Sequence, residues 1–318
     1  MLLMMPRGNE STVSLFLLLG FSSLEERQVL LFLVFSPVYV IILTSNITIM
    51  AAISVDRSLH TPMYFLLFAL SFSETCTTMA VVPKLLVSLL SGNQTISFLG
   101  CAAQMFCFFG FGGTNCFLLS AMAYDRYVAI CKPLQYPVVI NRRVCVELVA
   151  VSCATGFLIA LGISSLIFSL PFCGPNAIRH FFCDISPVLR LACSDHHIIG
   201  IAIVFLCAFV LLGTFTGIIL SYIYILAAIL KIHSATGRRK TFSTCASHLI
   251  VVITHFSCAF FVYLIPKSTA SLDEDTLIAL SYTLFSPMLN PVVYSLRNRE
   301  VKSALRKLTT HTFLSPKM

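Results

Sequence analysis

Charged residues are scarce in this sequence. Asp, Glu, Lys and Arg make up 11% of its 318 residues, against roughly a quarter in soluble domains. That shortage excludes a water-soluble globule, which needs polar surface to coat it. The gaps between charges are long: 28–55, 85–124, 148–178, 196–230, 241–266 and 276–296 contain none. A membrane-spanning helix needs about 20 mostly apolar residues, so each of these six runs is long enough to cross. A seventh, Pro62 to Leu90, is broken only by Glu74 and Lys84. The runs are continuously apolar, whereas a membrane barrel alternates. The expected fold is an all-α membrane protein: a seven-transmembrane helix bundle over 28–296, an outer tail over 1–27, and a cytoplasmic segment over 297–318.

Other absences narrow the class further. The apolar run Leu15 to Leu19 is shorter than a signal core and no small-residue cleavage site follows it, so the first span is the expected insertion signal. No cysteine follows Cys258, which leaves the carboxy-terminal tail without a palmitoyl anchor. Matched halves with broken helices, expected of a secondary transporter, are missing. So is a nucleophile–base set facing one cavity; His248 and His255, seven residues apart, come nearest, and an enzyme is not expected.

The basic residues orient the chain. With the amino terminus outside, fifteen of the twenty-one Lys and Arg fall on the cytoplasmic side and six on the other, a clear positive-inside bias. Glu10, Glu25, Glu26, Asp184, Asp195, Asp273, Glu274 and Asp275 lean outward. The net charge of +8 therefore reflects membrane topology and an anionic inner leaflet, and requires no nucleic-acid partner. The localisation expected is the plasma membrane, crossed several times.

Against that apolar background the polar residues stand out. Asp125 and Arg126 sit where the third span meets the cytoplasm, a costly place for two charges and a natural one for a switch. Glu74 is the one acid deep in a span, with three readings: a protonated packing residue, a sodium site with Asn115 and Ser286, or a hydrogen-bond partner of Asn46 and Asn290. In the third span, Phe108, Phe109 and Gly112 recur at helical spacing, which suits either an apolar cavity or tight packing through small residues; packing is the stronger reading. Pro291 removes a backbone donor within the seventh span, and Asn290 is expected to satisfy a freed carbonyl. Val301, Ala304, Leu305 and Leu308 then recur at helical spacing among basic residues, predicting a short amphipathic helix on the inner leaflet. Asn9-Glu10-Ser11 is a glycosylation acceptor pattern on the outer side. Cys101, Cys173, Cys183 and Cys193 lie on the oxidising side and allow three pairings; spacing alone does not choose among them.

Five motifs carry a family resemblance: Leu59-His-Thr-Pro-Met-Tyr-Phe65, Met122-Ala-Tyr-Asp-Arg-Tyr-Val-Ala-Ile-Cys131, Ser221-Tyr222, Phe242-Ser-Thr-Cys-Ala-Ser-His248 and Pro287-Met-Leu-Asn-Pro-Val-Val-Tyr294. Over about Gly20 to Leu308 the chain resembles a rhodopsin-like G-protein-coupled receptor of the olfactory receptor family, class II. The resemblance implies disulfides Cys101–Cys183 and Cys173–Cys193. It implies an odorant cavity lined by Gln104, Met105, Phe108, Phe109 and Gly112, faced by Leu206, Cys207, Val210, Ala259, Tyr263, Ala279 and Thr283. Sodium at Glu74, Asn115 and Ser286 would be the sole cofactor. It also implies coupling to a stimulatory, olfactory-type heterotrimeric G protein through Asp125, Arg126 and Tyr127. In that scheme Arg126 is restrained by Asp125 at rest and turns to Tyr222 and Tyr294 when the inner end of the sixth span swings away from the third, with Asn290 and Pro291 of the seventh span counted among the switch residues. A small volatile odorant, membrane lipid and trafficking chaperones are the other expected partners. The chain departs from the family pattern at Ser45, Glu74, Cys153, where tryptophan is usual, and Phe256-Ser257.

Overall fold

The computed structural model describes residues 13–21, 27–173, 175–264, 278–297, 301–304 and 306. Asn9 and the side chain of Tyr294 lie outside the described residues. Helices dominate: α1 (Gln28–Val55), α2 (Pro62–Ser91), α3 (Phe98–Cys131), a short α4 (Tyr136–Val139), α5 (Arg142–Phe168), a short α6 (Ile185–Leu189), α7 (His197–Leu230), α8 (Ala235–Tyr263) and α9 (Ser286–Arg297). Six of them are long and apolar enough to cross a membrane, and the apolar stretch Ile278–Val293 supplies a shorter seventh. The result is a seven-helix transmembrane bundle.

Helix ends follow local chemistry. Pro62 occupies the first turn of α2, where its missing N–H leaves no bond unmade, and Gly92 stops that helix in the left-handed conformation at φ 67°. Ser97, Asn141 and Ser234 cap α3, α5 and α8 through side-chain oxygens that accept from Gly100, Val144 and Gly237 backbone N–H groups. Helix α5 starts six residues before its charge-free run, because Arg142, Arg143 and Glu147 occupy its first turns, with Arg143 and Glu147 largely exposed. Counting uncharged residues underestimates a helix whose ends reach into water.

Burial sorts the helices. In α2 and α3, 61% of the apolar window is inside the protein, against 17% in α1 and 22% in α5 and α7. Helix α3 therefore forms the axis, packed on α2, α5 and α7, while α1, α5 and α7 face the hydrocarbon. On α7, Ile203, Cys207, Val210, Thr214, Ile218 and Tyr222 turn inward at helical spacing, and Phe205, Phe209 and Leu212 turn out. The crossing of α3 and α5 is close enough that a Cβ on Gly156 would lie 2.7 Å from the Gly110 carbonyl oxygen and the Thr114 side chain. That is packing through small residues.

The outer end carries a sheet that the apolar-run count does not anticipate. Strand β1 (Leu15–Leu18) lies between β2 (Thr95–Ser97) and β3 (Ala177–Ile178). It pairs antiparallel to β2, with Phe16 opposite Ile96, and parallel to β3, with Leu17 opposite Ala177. Phe16 and Leu18 are buried and Leu15 and Leu17 exposed, the alternation of a one-sided strand. Phe16 packs on Phe98 and Phe172 at 6.0 and 5.5 Å between ring centroids.

At the inner end, residues 301–304 are helical. Val301 and Ala304 are buried in the main apolar core, so the described part of this segment packs on the bundle. The side chain of Leu305, and Leu308, lie outside the described residues.

Candidate functional site

Between α3, α5, α7, α8 and the seventh span lies an inner cavity of about 50 Å³. Phe108, Phe109 and Gly112 of α3, Cys207 and Val210 of α7, and Ala259 and Tyr263 of α8 form much of its wall. Tyr263 stands edge-on to Phe109 at 5.4 Å and to Tyr282 at 6.1 Å. The wall is almost wholly apolar. Its exceptions are the hydroxyls of Tyr282 and Tyr263, of which the Tyr263 hydroxyl is buried with no hydrogen-bond partner among the described residues. Such a site selects by shape and by burial, at about 25 cal/mol per Å² of apolar surface, and offers one hydroxyl to a polar group on the guest.

Gly112 keeps this space open: a Cβ there would meet the Tyr282 hydroxyl at 3.2 Å. Both readings of the glycine-rich stretch hold, with Gly110 and Gly113 against α5 and Gly112 at the cavity. Five expected lining residues stand elsewhere. Gln104 spans two elements, its amide nitrogen donating to the Ala80 carbonyl at 3.0 Å and its oxygen accepting from the Cys183 N–H at 2.9 Å. Met105 is buried in the outer apolar cluster with Cys101 and Cys183, and Leu206 packs against it. Ala279 and Thr283 are joined to each other, the Thr283 hydroxyl donating to the Ala279 carbonyl at 2.8 Å, within a stretch that includes a π-helical turn at Ser281–Phe285. Cys116, Gly113, Gly156, Ile159, Ile163, Leu211 and Tyr282 complete the wall and were not anticipated. Cys116 was legible in principle, since 108, 112 and 116 fall on one helical face.

Beneath the cavity a polar column begins at Cys116. His255 of α8 lies 3.5 Å from the Cys116 sulfur through Nε2 and 3.2 Å from the Ser286 hydroxyl through Nδ1. Further in, Asn290 donates to the Glu74 carboxyl, the third of the readings open for Glu74. Asn290 was expected to satisfy a carbonyl freed by Pro291. Instead Asn46 does so, donating to the Pro287 carbonyl at 3.3 Å; that oxygen is the one the missing Pro291 N–H would have bonded. Glu74 Oε2, Asn46 Oδ1 and Asn115 Oδ1 are buried with no hydrogen-bond partner among the described residues. Oxygen donors of this kind are the type a hard cation such as sodium takes, whereas the Ser286 oxygen is already shared with His255.

The opposite end of the bundle, expected to be the cytoplasmic one, is joined by a few side-chain hydrogen bonds. The Tyr136 hydroxyl on α4 donates to Asp125 at 2.8 Å. Burial, and after it the Asp125 carboxylate, push the Tyr136 hydroxyl above its ordinary value, so it remains a donor at physiological pH. Asp125 was expected to restrain Arg126. Its hydrogen-bond partner is Tyr136, and the ion pair found among the described residues is Arg143 with Glu147. Arg126 is half-buried and acts on the carboxylate through charge, while the Tyr136 hydroxyl holds it by a hydrogen bond. Tyr222 of α7 is tied to α8, 2.8 Å from His248 Nδ1 and 3.3 Å from the Cys245 carbonyl oxygen. Tyr127 packs on Tyr124 and Tyr224.

The outer end is cross-linked. Cys101 is bonded to Cys183 and Cys173 to Cys193, the pairing implied by the family resemblance.

Comparison with known proteins follows the same lines. The sequence profile of the olfactory receptor family matches residues 35–312. The chain is 53% identical over 301 residues to olfactory receptor 10T2 of Homo sapiens, covering 94% of this chain and 96% of that one. It is 53% identical over 309 residues to human olfactory receptor 10K1, covering 97% and 99%, and 55% identical over 291 residues to human olfactory receptor 10Z1, covering 92% and 93%. The chain belongs to the olfactory receptor family.

Proposed function

We propose that this olfactory receptor binds a small, mostly apolar odorant in the cavity between α3, α7 and α8, and that binding activates a stimulatory, olfactory-type heterotrimeric G protein and raises cAMP. The observation that carries the reading is continuity. Cys116 belongs to the cavity wall and touches His255, and His255 touches Ser286 at the head of α9. A guest that presses on Tyr263 or Cys116 thus acts on the α8–α9 contact directly.

Activation is a population shift. Odorant favours the arrangement in which the inner end of α8 leaves α3, the Tyr222–His248 contact breaks, and Arg126 turns towards the freed Tyr222 and Tyr294. The cleft so opened accepts the G protein, and the receptor itself performs no bond chemistry. A small guest burying about 200 Å² gains ~5 kcal/mol, part of which is lost to its own immobilisation, so modest affinity is expected. Sodium, if bound, would be held by Glu74 and Asn115 and would supply a fixed charge that steadies the resting state. The receptor works in the plasma membrane with its amino terminus outside.

The test is cAMP in cells that express the receptor with a stimulatory olfactory-type G protein, challenged with an odorant panel. An odorant-dependent rise is expected, lost in Arg126→Ala at unchanged surface level. Normal signalling by that variant would refute the coupling route.

A further inference from the structure

We propose that Cys116, with His255 as its base, forms a covalent bond to guests that carry an electron-poor double bond, namely small α,β-unsaturated ketones and aldehydes. The sequence shows no nucleophile–base set facing one cavity; the fold makes one from α3, α8 and α9. Cys116 belongs to the cavity wall, and its sulfur lies 3.5 Å from His255 Nε2. The other ring nitrogen, Nδ1, is 3.2 Å from the Ser286 hydroxyl. With the ring proton on Nδ1 and donated to Ser286, Nε2 is left to accept from the thiol. A nucleophile, a base within its reach and a third group that orients the base are what nucleophilic attack requires. Cys116, His255 and Ser286 are each at most 3% exposed, so bulk water does not compete for the pair.

The same wall supplies a donor for the guest. The Tyr263 hydroxyl lines the cavity, is buried with no hydrogen-bond partner among the described residues, and lies within electrostatic reach of Cys116. It donates to the carbonyl oxygen of the guest, where negative charge gathers as the thiol adds. In that step the Cys116 sulfur bonds to the β-carbon of the guest. The π pair of the double bond shifts towards the α-carbon and the carbonyl oxygen. The thiol proton passes to His255 Nε2 and from there to the α-carbon. Nothing is oxidised or reduced, and no other reactant is consumed.

A separated thiolate and imidazolium are costly in an apolar wall, so the pair stays neutral until a guest is in place to be attacked. A saturated odorant therefore meets an inert thiol. The ordinary response needs no bond chemistry, and this reaction is the one exception to it. It is a single ligation without turnover. Because the bonded guest cannot leave by dissociation, its signal outlasts its removal; that half rests on the odorant reading proposed above.

The bond can be tested without the signal. Purified receptor in nanodiscs is incubated with ethyl vinyl ketone or with diethyl ketone, its saturated counterpart, and the cysteine peptides are mapped over time by mass spectrometry. The internal standard is Cys207, which shares the wall and has no histidine within hydrogen-bond reach among the described residues. Ethyl vinyl ketone is expected to add to Cys116 at least about tenfold faster than to Cys207, and diethyl ketone to neither. Equal rates at the two thiols, or no adduct on Cys116, overturn the proposal. His255→Gln should abolish the preference while Cys207 goes on reacting; a preference that survives overturns the assignment of the base. Tyr263→Phe, which keeps the ring, should slow the Cys116 reaction several-fold, and an unchanged rate removes Tyr263 from the step. In cells, cAMP raised by ethyl vinyl ketone should persist after washout and that raised by diethyl ketone should decay. Decay of both with Cys116 modified would overturn the lasting signal. An adduct on Cys116 with no cAMP from either ketone would count against the odorant reading and leave the covalent site standing.

Discussion

The outer end of this bundle is fastened by covalent bonds and a sheet, and the inner end by a few side-chain hydrogen bonds. Outside, two disulfides, the Gln104 tie and the three-stranded sheet bind α3, the long outer loop and the amino-terminal segment into one unit. Inside, the Tyr136–Asp125 and Tyr222–His248 contacts join neighbours that nothing cross-links covalently among the described residues. A hydrogen bond to a charged group is worth about 1.5–3 kcal/mol, within reach of a small guest's binding energy, whereas a disulfide is not. On the function proposed above, the outer end holds its shape around a guest and the inner end is opened by it.

The contrast can be broken from either side. The largest effect is expected outside. Removing Cys101–Cys183, which closes a separation of 82 residues, forfeits about 4–5 kcal/mol on a chain-entropy estimate, and Cys101→Ser should leave little receptor at the cell surface by antibody labelling. Next is Gly156→Val at the α3–α5 crossing, where the new side chain meets Gly110 and Thr114. About 1–3 kcal/mol should be lost, seen as a lower melting temperature in detergent, while Gly162→Ala, with nothing within 4 Å of the added carbon, should be nearly silent.

Tyr136→Phe addresses the inner end alone. It leaves Asp125 without its donor and should raise ligand-independent cAMP about tenfold at equal surface level. An unchanged baseline would mean that α4 does not restrain the switch. The mildest change is Gly112→Val, which narrows the cavity against Tyr282. Potency should fall several-fold for bulkier odorants and less for small ones, because the added side chain occupies space beside Tyr282.

Much of this was legible in the sequence, and the omissions have physical causes. Charge-free runs revealed the helices because lipid excludes charge, yet missed the first turns of α5 and α8, where Arg142 or Arg238 reaches water. The strand Leu15–Leu18 hid because its four residues are all apolar, so the one-sided burial shows only once the partners at 95–97 and 177–178 are in place. In the cavity, helical spacing put Phe108, Phe109 and Gly112 on one face, but favoured packing there; their place in a cavity came from the family resemblance. Tyr282 and Gly156 could not, since their role depends on which faces of two other helices turn inward. Gln104 was misleading for the same reason: a polar side chain near an expected pocket also serves to bond two backbones. The Asp125–Arg126 pairing was drawn from adjacency; neighbours in a helix point about 100° apart, so Arg126 acts on Asp125 through charge and the hydrogen bond to the carboxylate comes from Tyr136.

The most direct measurement is a pair of distances in one receptor, taken by electron–electron double resonance with and without an odorant that raises cAMP. Spin labels at 134 and 238 would report the inner ends of α3 and α8, and labels at 99 and 198 the outer ends of α3 and α7. Odorant with G protein should lengthen the inner distance by several ångströms, the scale of helix shifts in switching proteins, and leave the outer one unchanged. A moving outer pair above a fixed inner pair would contradict the division of labour proposed here.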